Sequence, residues 1–367
     1  MSTKLGCICK FQSGGTPSKS NQDYYNGGIP WVTTTSLNGK QIDARDAVDW
    51  ITEKAIDETA AKIVPANSIM VGTRVGVGKV AVNLVDMSTS QDIISLLDID
   101  DSAWDKDFLC KYIQGKNRFL KSQARGATIK GIKIDVLANL DLPEISIDKQ
   151  RYISTNLDKV NHVIELRKKE LEEFDELIRA RFVELFGDLN TNPLGWELKK
   201  FEDLTDLITD GEHATPRKTD KGIYLLSARN VLNHRLQLDD VDYIDEEEYE
   251  RISKRVIPQA GDVLLSCSGT IGRCCCVPEG LKFQMVRSTA ILRFKDFINP
   301  VFAEYMITSD YVQQQIDKVK TASSQANLFQ GKIAKLKGFV PPIALQNEFA
   351  IFIKQVDKSK VVALKAA

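Results

Sequence analysis

The sequence predicts an α+β fold: two similar domains separated by long antiparallel coiled-coil-like helices, related as a pseudo-twofold internal repeat. Three observations predict it. Short peptide matches recur in the same order in both halves of the 367-residue chain, at an offset of about 195–200 residues. Within each half, short apolar strand signals flank glycine-rich turns and mix with short helices. Between the halves lies a segment, Lys149 to Phe186, with no Gly or Pro and a heptad pattern.

The repeat begins with Gly14-Gly15-Thr16-Pro17-Ser18, answered by Ala214-Thr215-Pro216-Arg217-Lys218. Ile29-Pro30-Trp31-Val32-Thr33-Thr34 is answered by Ile223-Tyr224-Leu225-Leu226-Ser227-Ala228, and Ile63-Val64-Pro65 by Val256-Ile257-Pro258. Gly76-Val77-Gly78-Lys79-Val80 pairs with Thr270-Ile271-Gly272-Arg273-Cys274, and Leu142-Pro143 with Val340-Pro341-Pro342. Solenoid periods run to about 50 residues, so this is a duplicated domain, and it binds something with two similar parts.

The strand signals are Ile69-Met70-Val71, Val80-Ala81-Val82 and Ile93 to Leu97 in the first half. Val263-Leu264-Leu265, Cys274 to Val277 and Ala290-Ile291-Leu292 take the same places in the second. Asp107 to Leu120 and Pro300 to Ile316 read as helices. The heptad segment would be about 57 Å long at 1.5 Å per residue. Its seam is Leu157, Val160, Ile164, Leu171, Phe174, Ile178 and Leu185, interrupted by Arg167 and Arg181. A shorter second helix shows Phe349, Phe352, Ile353 and Val356, and the simplest arrangement is an antiparallel pair. Gly187 stops the first helix, and Asn190 to Gly195 is the linker. The predicted boundaries are 1–148, first domain; 149–187, spacer helix; 188–345, second domain; 346–367, shorter helix.

With 43 % apolar and 27 % charged residues, the composition is that of an ordinary soluble globular protein. No signal peptide and no membrane span are indicated. The seven cysteines are odd in number and three are consecutive, as expected of reduced, mostly buried thiols in a cytoplasmic protein. The net charge of −1 hides local fields. Lys106 to Lys133 holds eight Lys/Arg against Asp107, whereas Asp239 to Glu250 holds eight acids in twelve residues. Each half has a basic late segment and an acidic middle one, as if one face met a polyanion and the other were kept off it.

Catalytic signatures are missing. Gly72 to Val80 fails as a P-loop, because Thr73 stands where its first glycine belongs and Val80 where its Ser/Thr belongs. A glycine-rich strand turn is the simpler reading. Three histidines, His162, His213 and His234, and no CxxC pair argue against a His triad or a zinc site, and no metal ligands are expected. The sequence reads as a binding device.

The chain resembles the specificity subunits of type I restriction–modification enzymes. The carrying motifs are Phe11 to Ser18, Ile29 to Thr34, Gly126-Ala127-Thr128-Ile129-Lys130-Gly131-Ile132, and Phe339-Val340-Pro341-Pro342-Ile343-Ala344-Leu345-Gln346 before a helix. The resemblance implies two target-recognition domains held apart by two antiparallel helices, each domain reading one half of a bipartite double-stranded DNA site. It implies two methyltransferase (modification) subunits and then restriction subunits as partners. S-adenosylmethionine, Mg and ATP would then belong to those partners, leaving this chain non-catalytic and without a cofactor.

Base reading needs paired donors and acceptors in a groove. Loop candidates are Thr16, Lys19, Thr33, Thr34, Thr35, Ser36, Arg74 and Lys79 in the first half. In the second they are His213, Thr215, Arg217, Lys218, Arg229, Asn230, Ser268, Arg273 and Arg287. Arg125, Lys130, Ser323, Ser324, Gln325 and Asn327 suit phosphate contacts, which position without specifying. Two other readings stand beside this one. One is an assembly scaffold whose domains and helices bind proteins. The other is an enzyme using Cys267 and His213, weakened because only one half holds both residue types.

Overall fold

The computed structural model describes residues 2–126, 130–319 and 327–365. The chain divides into two compact units, 1–164 and 165–367.

Each unit carries the same arrangement of paired strands. In the first, a five-stranded sheet runs Lys10–Ser13, Ile93–Leu97, Ile69–Gly72, Val80–Asn83, Gln41–Ile42. In the second, a four-stranded sheet runs Thr205–Asp210, Thr289–Phe294, Val263–Ser266, Cys274–Cys276, the same order without the last strand. A smaller sheet repeats likewise. Asp49–Ile51, Tyr25–Val32 and Met87–Thr89 neighbour one another in unit 1, as Asp242–Ile244, Ile223–Leu226 and Phe283–Met285 do in unit 2. Each copy holds one parallel pairing, Trp31 beside Ser88 and Tyr224 beside Phe283. The duplication is thus visible in topology as well as in peptide matches.

The central strands are covered on both faces, which is why they read as continuous apolar runs rather than alternating ones. Ile69 and Val71 join a core with Phe108, Leu109 and Ile113, while Met70 faces Val32, Ile42 and Met87 on the other side. Val263 and Leu265 pack with Phe302 and Met306, while Leu264 faces Phe283 and Met285. The three consecutive cysteines follow the pleat: Cys274 and Cys276 lie with the first of these cores and Cys275 with the second, all free thiols.

Each of the two shorter predicted helices is broken in two. Asp107 to Leu120 becomes Lys106–Gly115 and Asn117–Gln123, with Lys116 off helical geometry after Gly115, a poor helix former. Pro300 to Ile316 becomes Pro300–Thr308 and Asp310–Val319, because Ser309 is extended and its hydroxyl donates to the Met306 carbonyl.

The long helix runs Ile147–Phe186, 40 residues, and Gly187 ends it in the left-handed region (φ 74°). The C-terminal helix runs Ile343–Lys365, 23 residues. Within unit 2 the two are antiparallel: Arg181 meets Glu348, and Lys360 meets Asp175 at 2.6 Å. The packed residues are Ile178, Phe182 and Phe186 against Phe349, Ile353 and Val356, with Phe302 stacked beside them. Of the predicted seam, Leu171, Phe174, Leu185 and Phe352 are half-buried, whereas Leu157, Val160 and Ile164 are 44 %, 55 % and 41 % exposed. The heptad reading is corrected here: the buried row is Ile178, Phe182 and Phe186, spaced by four residues, with the predicted Phe174 and Leu185 packed beside it on the same core.

A buried glutamine joins each unit to the start of its own helix. The Gln150 amide donates to the carbonyls of Ala103 and Ile145, both at 3.0 Å, and its oxygen accepts from the Asp105 N–H at 3.0 Å. The Gln346 amide donates to the carbonyls of Phe297 (3.2 Å) and Pro341 (2.7 Å), and its oxygen accepts from the Asn299 N–H at 2.8 Å. Asp105 and Asn299 are themselves the N-caps of the helices that follow them.

Candidate nucleic-acid interface

The glycine-rich stretch is a tight connection between two antiparallel strands in each unit. Gly78 donates to the Gly72 carbonyl at 2.9 Å, and Gly272 donates to the Ser266 carbonyl at 3.0 Å. Gly76, Gly78 and Gly272 take φ of 72°, 82° and 90°, a region that L side chains resist. This is loop geometry, not a phosphate cradle at a helix start.

A later segment straps each loop. In unit 1, Ile132 donates to the Thr73 carbonyl at 2.8 Å, and a side chain at Gly131 would collide with Arg74 and Thr73. In unit 2, Leu328 donates to the Cys267 carbonyl at 2.9 Å, and Ser268 bridges to Asn327. The strap carries exposed Arg125, Lys130 and Lys133 in unit 1, and exposed Phe329, Lys332 and Lys335 in unit 2.

A third segment completes the group. Gln91 donates to the Thr16 hydroxyl at 3.3 Å, Thr73 donates to the Asp92 carbonyl at 2.8 Å, and Arg74 lies 3.9 Å from Asp92. In unit 2, Arg287 donates to the Glu212 carbonyl at 2.9 Å and Cys267 to the Ser288 carbonyl at 2.8 Å. The turns Gln91-Asp92 and Arg287-Ser288 thus join the Thr16 and His213 loops to Arg74 and Ser268. Gln91, Asp92 and Ser288 were not among the sequence candidates, although their shared repeat offset could have found them.

The remaining candidates differ in how they are held. Lys19 and Thr215 are exposed, and Arg273 is half-buried without an ion pair among the described residues. Others are committed to local structure. The Thr33 and Thr35 hydroxyls bond each other at 2.7 Å, Ser36 donates to the Asp46 carbonyl at 2.8 Å, and Lys79 reaches the Thr34 carbonyl at 3.3 Å. Two are corrected outright: Thr34 and Asn230 are buried. The Asn230 amide donates to the Gln237 and Asp240 carbonyls, and its oxygen accepts from Ser227, so the side chain builds its own turn. Ser323, Ser324 and Gln325 lie outside the described residues.

The acidic segment of unit 2 is not turned away from the candidate cations. Arg217 lies 3.0 Å from Glu247, Lys218 lies 2.9 Å from Asp242, and Arg229 lies 3.2 Å from Asp242 and 3.7 Å from Asp240. These three cations lie outside the basic late segment, and folding brings them onto the acidic one. Although burial pushes the Asp242 carboxyl up, Lys218 and Arg229 outweigh it and hold the carboxyl below its usual range. Glu248 is drawn down to about 2, chiefly by its bonds from Arg251, with the Arg217 backbone N–H adding to them. His213 faces Asp210 at 3.0 Å, and Arg255 and Gln330 also engage Asp210.

Among the described residues no helix is long and apolar enough to cross a membrane. The family model of the type I restriction modification DNA specificity domain matches twice, over residues 1–175 and 193–366. The chain is 26 % identical over 231 residues to the type I restriction enzyme MjaIX specificity subunit of Methanocaldococcus jannaschii, covering 59 % of this chain and 53 % of that one. It is 29 % identical over 196 residues to the EcoR124I/EcoR124II specificity subunit of Escherichia coli, covering 47 % and 46 %. These matches span about half the length of each relative. A longer and weaker match, 20 % identity over 381 residues, joins 96 % of the chain to 85 % of the MjaVIII specificity subunit of M. jannaschii. The fold is similar to the solved S subunit of a type I restriction–modification system from M. genitalium, at TM-score 0.58 and 13 % identity, covering 100 % of this chain and 91 % of that one. A chain from a structural study of type I system assembly gives TM-score 0.59 at 15 % identity, with 100 % and 93 % covered. With its paired strands repeated in order and a family match in each half, the chain belongs to the type I restriction modification DNA specificity domain family.

Proposed function

We propose that this chain is the DNA-reading subunit of a type I restriction–modification complex. Each unit reads one half of a bipartite target, and the helices set the unread spacer between the halves. The observation that carries this is the same loop, turn and strap assembled twice, each time with exposed cations beside it. Base-edge contacts fall to Thr16, Arg74, His213, Ser268, Arg273, Arg287 and Arg229, and phosphate contacts to Arg125, Lys130 and Lys133. Methylation and cleavage belong to two methyltransferase subunits and to restriction subunits, which would bring S-adenosylmethionine, Mg and ATP.

The helices offer surface to protein partners as well as length. The C-terminal helix borders an open apolar groove of about 1110 Å³, lined by Val301, Ala350, Ile351, Ile353, Val361 and Val362. That groove favours protein docking as a second role of the same subunit.

Methylation mapping of DNA from cells expressing the chain with its methyltransferase tests the proposal. The expected result is a bipartite motif with a fixed gap. Insertion of two helical turns into Ile147–Phe186 should change the gap and leave both half-sites as they were. Altered half-site bases, or a motif without a gap, would contradict it.

A further inference from the structure

Phe329 is 60 % exposed, yet it is held in place. On one side Leu328 is buried and bonded to Cys267; on the other the Phe329 carbonyl accepts from Lys332 and Ile333 at 2.8 and 3.1 Å. The Gln330 amide donates to Asp210 at 2.5 Å. The ring is therefore fixed outward by a segment anchored before and after it.

The register of the repeat gives its counterpart. Ile132 bonds to Thr73 as Leu328 bonds to Cys267, and Val136 donates to the Lys133 carbonyl as Lys332 donates to that of Phe329. The residue that caps the short helix of the strap is Lys133 in unit 1 and Phe329 in unit 2. Both are exposed. The setting of Phe329 is cationic, with exposed Lys332 and Lys335 following it in the strap. The acid that Gln330 touches, Asp210, is already engaged by His213 and Arg255. An apolar ring among cations suits a polyanion that also offers apolar surfaces, which describes DNA.

We propose that Phe329 is an apolar base contact of unit 2, set against a base face or a thymine methyl where Lys133 grips a phosphate in unit 1. The inference rests on the DNA-reading function proposed above.

The test uses the full chain in complex with its methyltransferase, on a duplex carrying the target mapped by methylation. Phe329→Ala should weaken binding about 5- to 160-fold, as loss of an aromatic–base contact does. Its salt dependence should be unchanged, and Phe329→Trp should retain affinity. Lys133→Ala should instead reduce the logarithmic salt slope by about 0.9, one phosphate contact. Uracil in place of thymine in the second half-site reproduces the Phe329→Ala loss if a methyl is touched. Brightening of 2-aminopurine on binding, lost in Phe329→Ala, identifies an unstacked base; either result supports the proposal. Wild-type affinity and selectivity in Phe329→Ala overturn it while leaving the DNA-reading function standing. Weakened capture of the methyltransferase by Phe329→Ala without DNA also overturns it. A wild-type complex that fails to prefer the mapped duplex over a scrambled one overturns both readings.

Discussion

Replacing Arg229 by alanine should weaken discrimination at one half of the target only. The Arg229 side chain is 47 % exposed, with Nη2 at 3.2 Å from Asp242 and 3.7 Å from Asp240. A bidentate arginine–guanine contact discriminates by about 1–3 kcal/mol. Turning to DNA means giving up exposed ion pairs worth about 0.2–1 kcal/mol. The net loss in Arg229→Ala is then about 1–2 kcal/mol, or about 5- to 30-fold in relative affinity. The reciprocal variant, Asp242→Asn, releases Lys218 and leaves Arg229 only the longer contact to Asp240, and should tighten target binding up to about fivefold. Competition binding by the methyltransferase complex, with duplexes altered one base at a time in either half, measures both. Equal loss at the two halves would refute the assignment of Arg229 to one of them. An Arg229→Ala complex with wild-type discrimination would refute the base contact itself. Arg229 sits on a short turn rather than in a core, so its thermal midpoint should not move.

Other outcomes follow from the same geometry. Phe349 is fully buried, with its ring 5.3 Å from Phe182, 5.7 Å from Phe186 and 5.1 Å from Tyr305. Phe349→Ala should cost about 3–5 kcal/mol. Hydrogen exchange should show the loss in peptides of unit 2 and leave those of unit 1 unchanged. Glu248 has its carboxyl depressed from 4.5 to about 2, so its stabilisation is complete above about pH 4.5 and is lost as pH falls toward 2. The thermal midpoint of unit 2 should fall through that window, and less steeply in Glu248→Gln. Burial pushes the thiols of Cys9, Cys110 and Cys267 up to about 12, while Cys7 is exposed. A thiol reagent at pH 8 should label Cys7 quickly and the others only on unfolding; several fast thiols in the native protein would contradict this.

What the sequence made legible was whatever depends on local pattern. Runs such as Val263-Leu264-Leu265 and the uninterrupted Lys149 to Phe186 segment carry their own periodicity, and Gly187 its own stop. What stayed hidden depends on neighbours distant in sequence. Asn230 looked like a base-reading side chain because its three turn-building partners are not visible in a linear string. The acidic run Asp239 to Glu250 reads in the string as a face of its own, yet Arg217, Lys218 and Arg229 close onto its Glu247, Asp240 and Asp242. Nothing in the linear string separates Phe329 from a core aromatic, and only the bonds on either side of it place the ring outside.

The two glutamine joints are a fixed point of the repeat. Gln150 and Gln346 make the same three bonds, to equivalent backbone atoms, in halves whose loops now share few residues. The attachment of domain to helix is therefore the same in both halves, although their loops differ. The chain also contains its own control: Gln150→Leu and Gln346→Leu perturb the same joint in two settings.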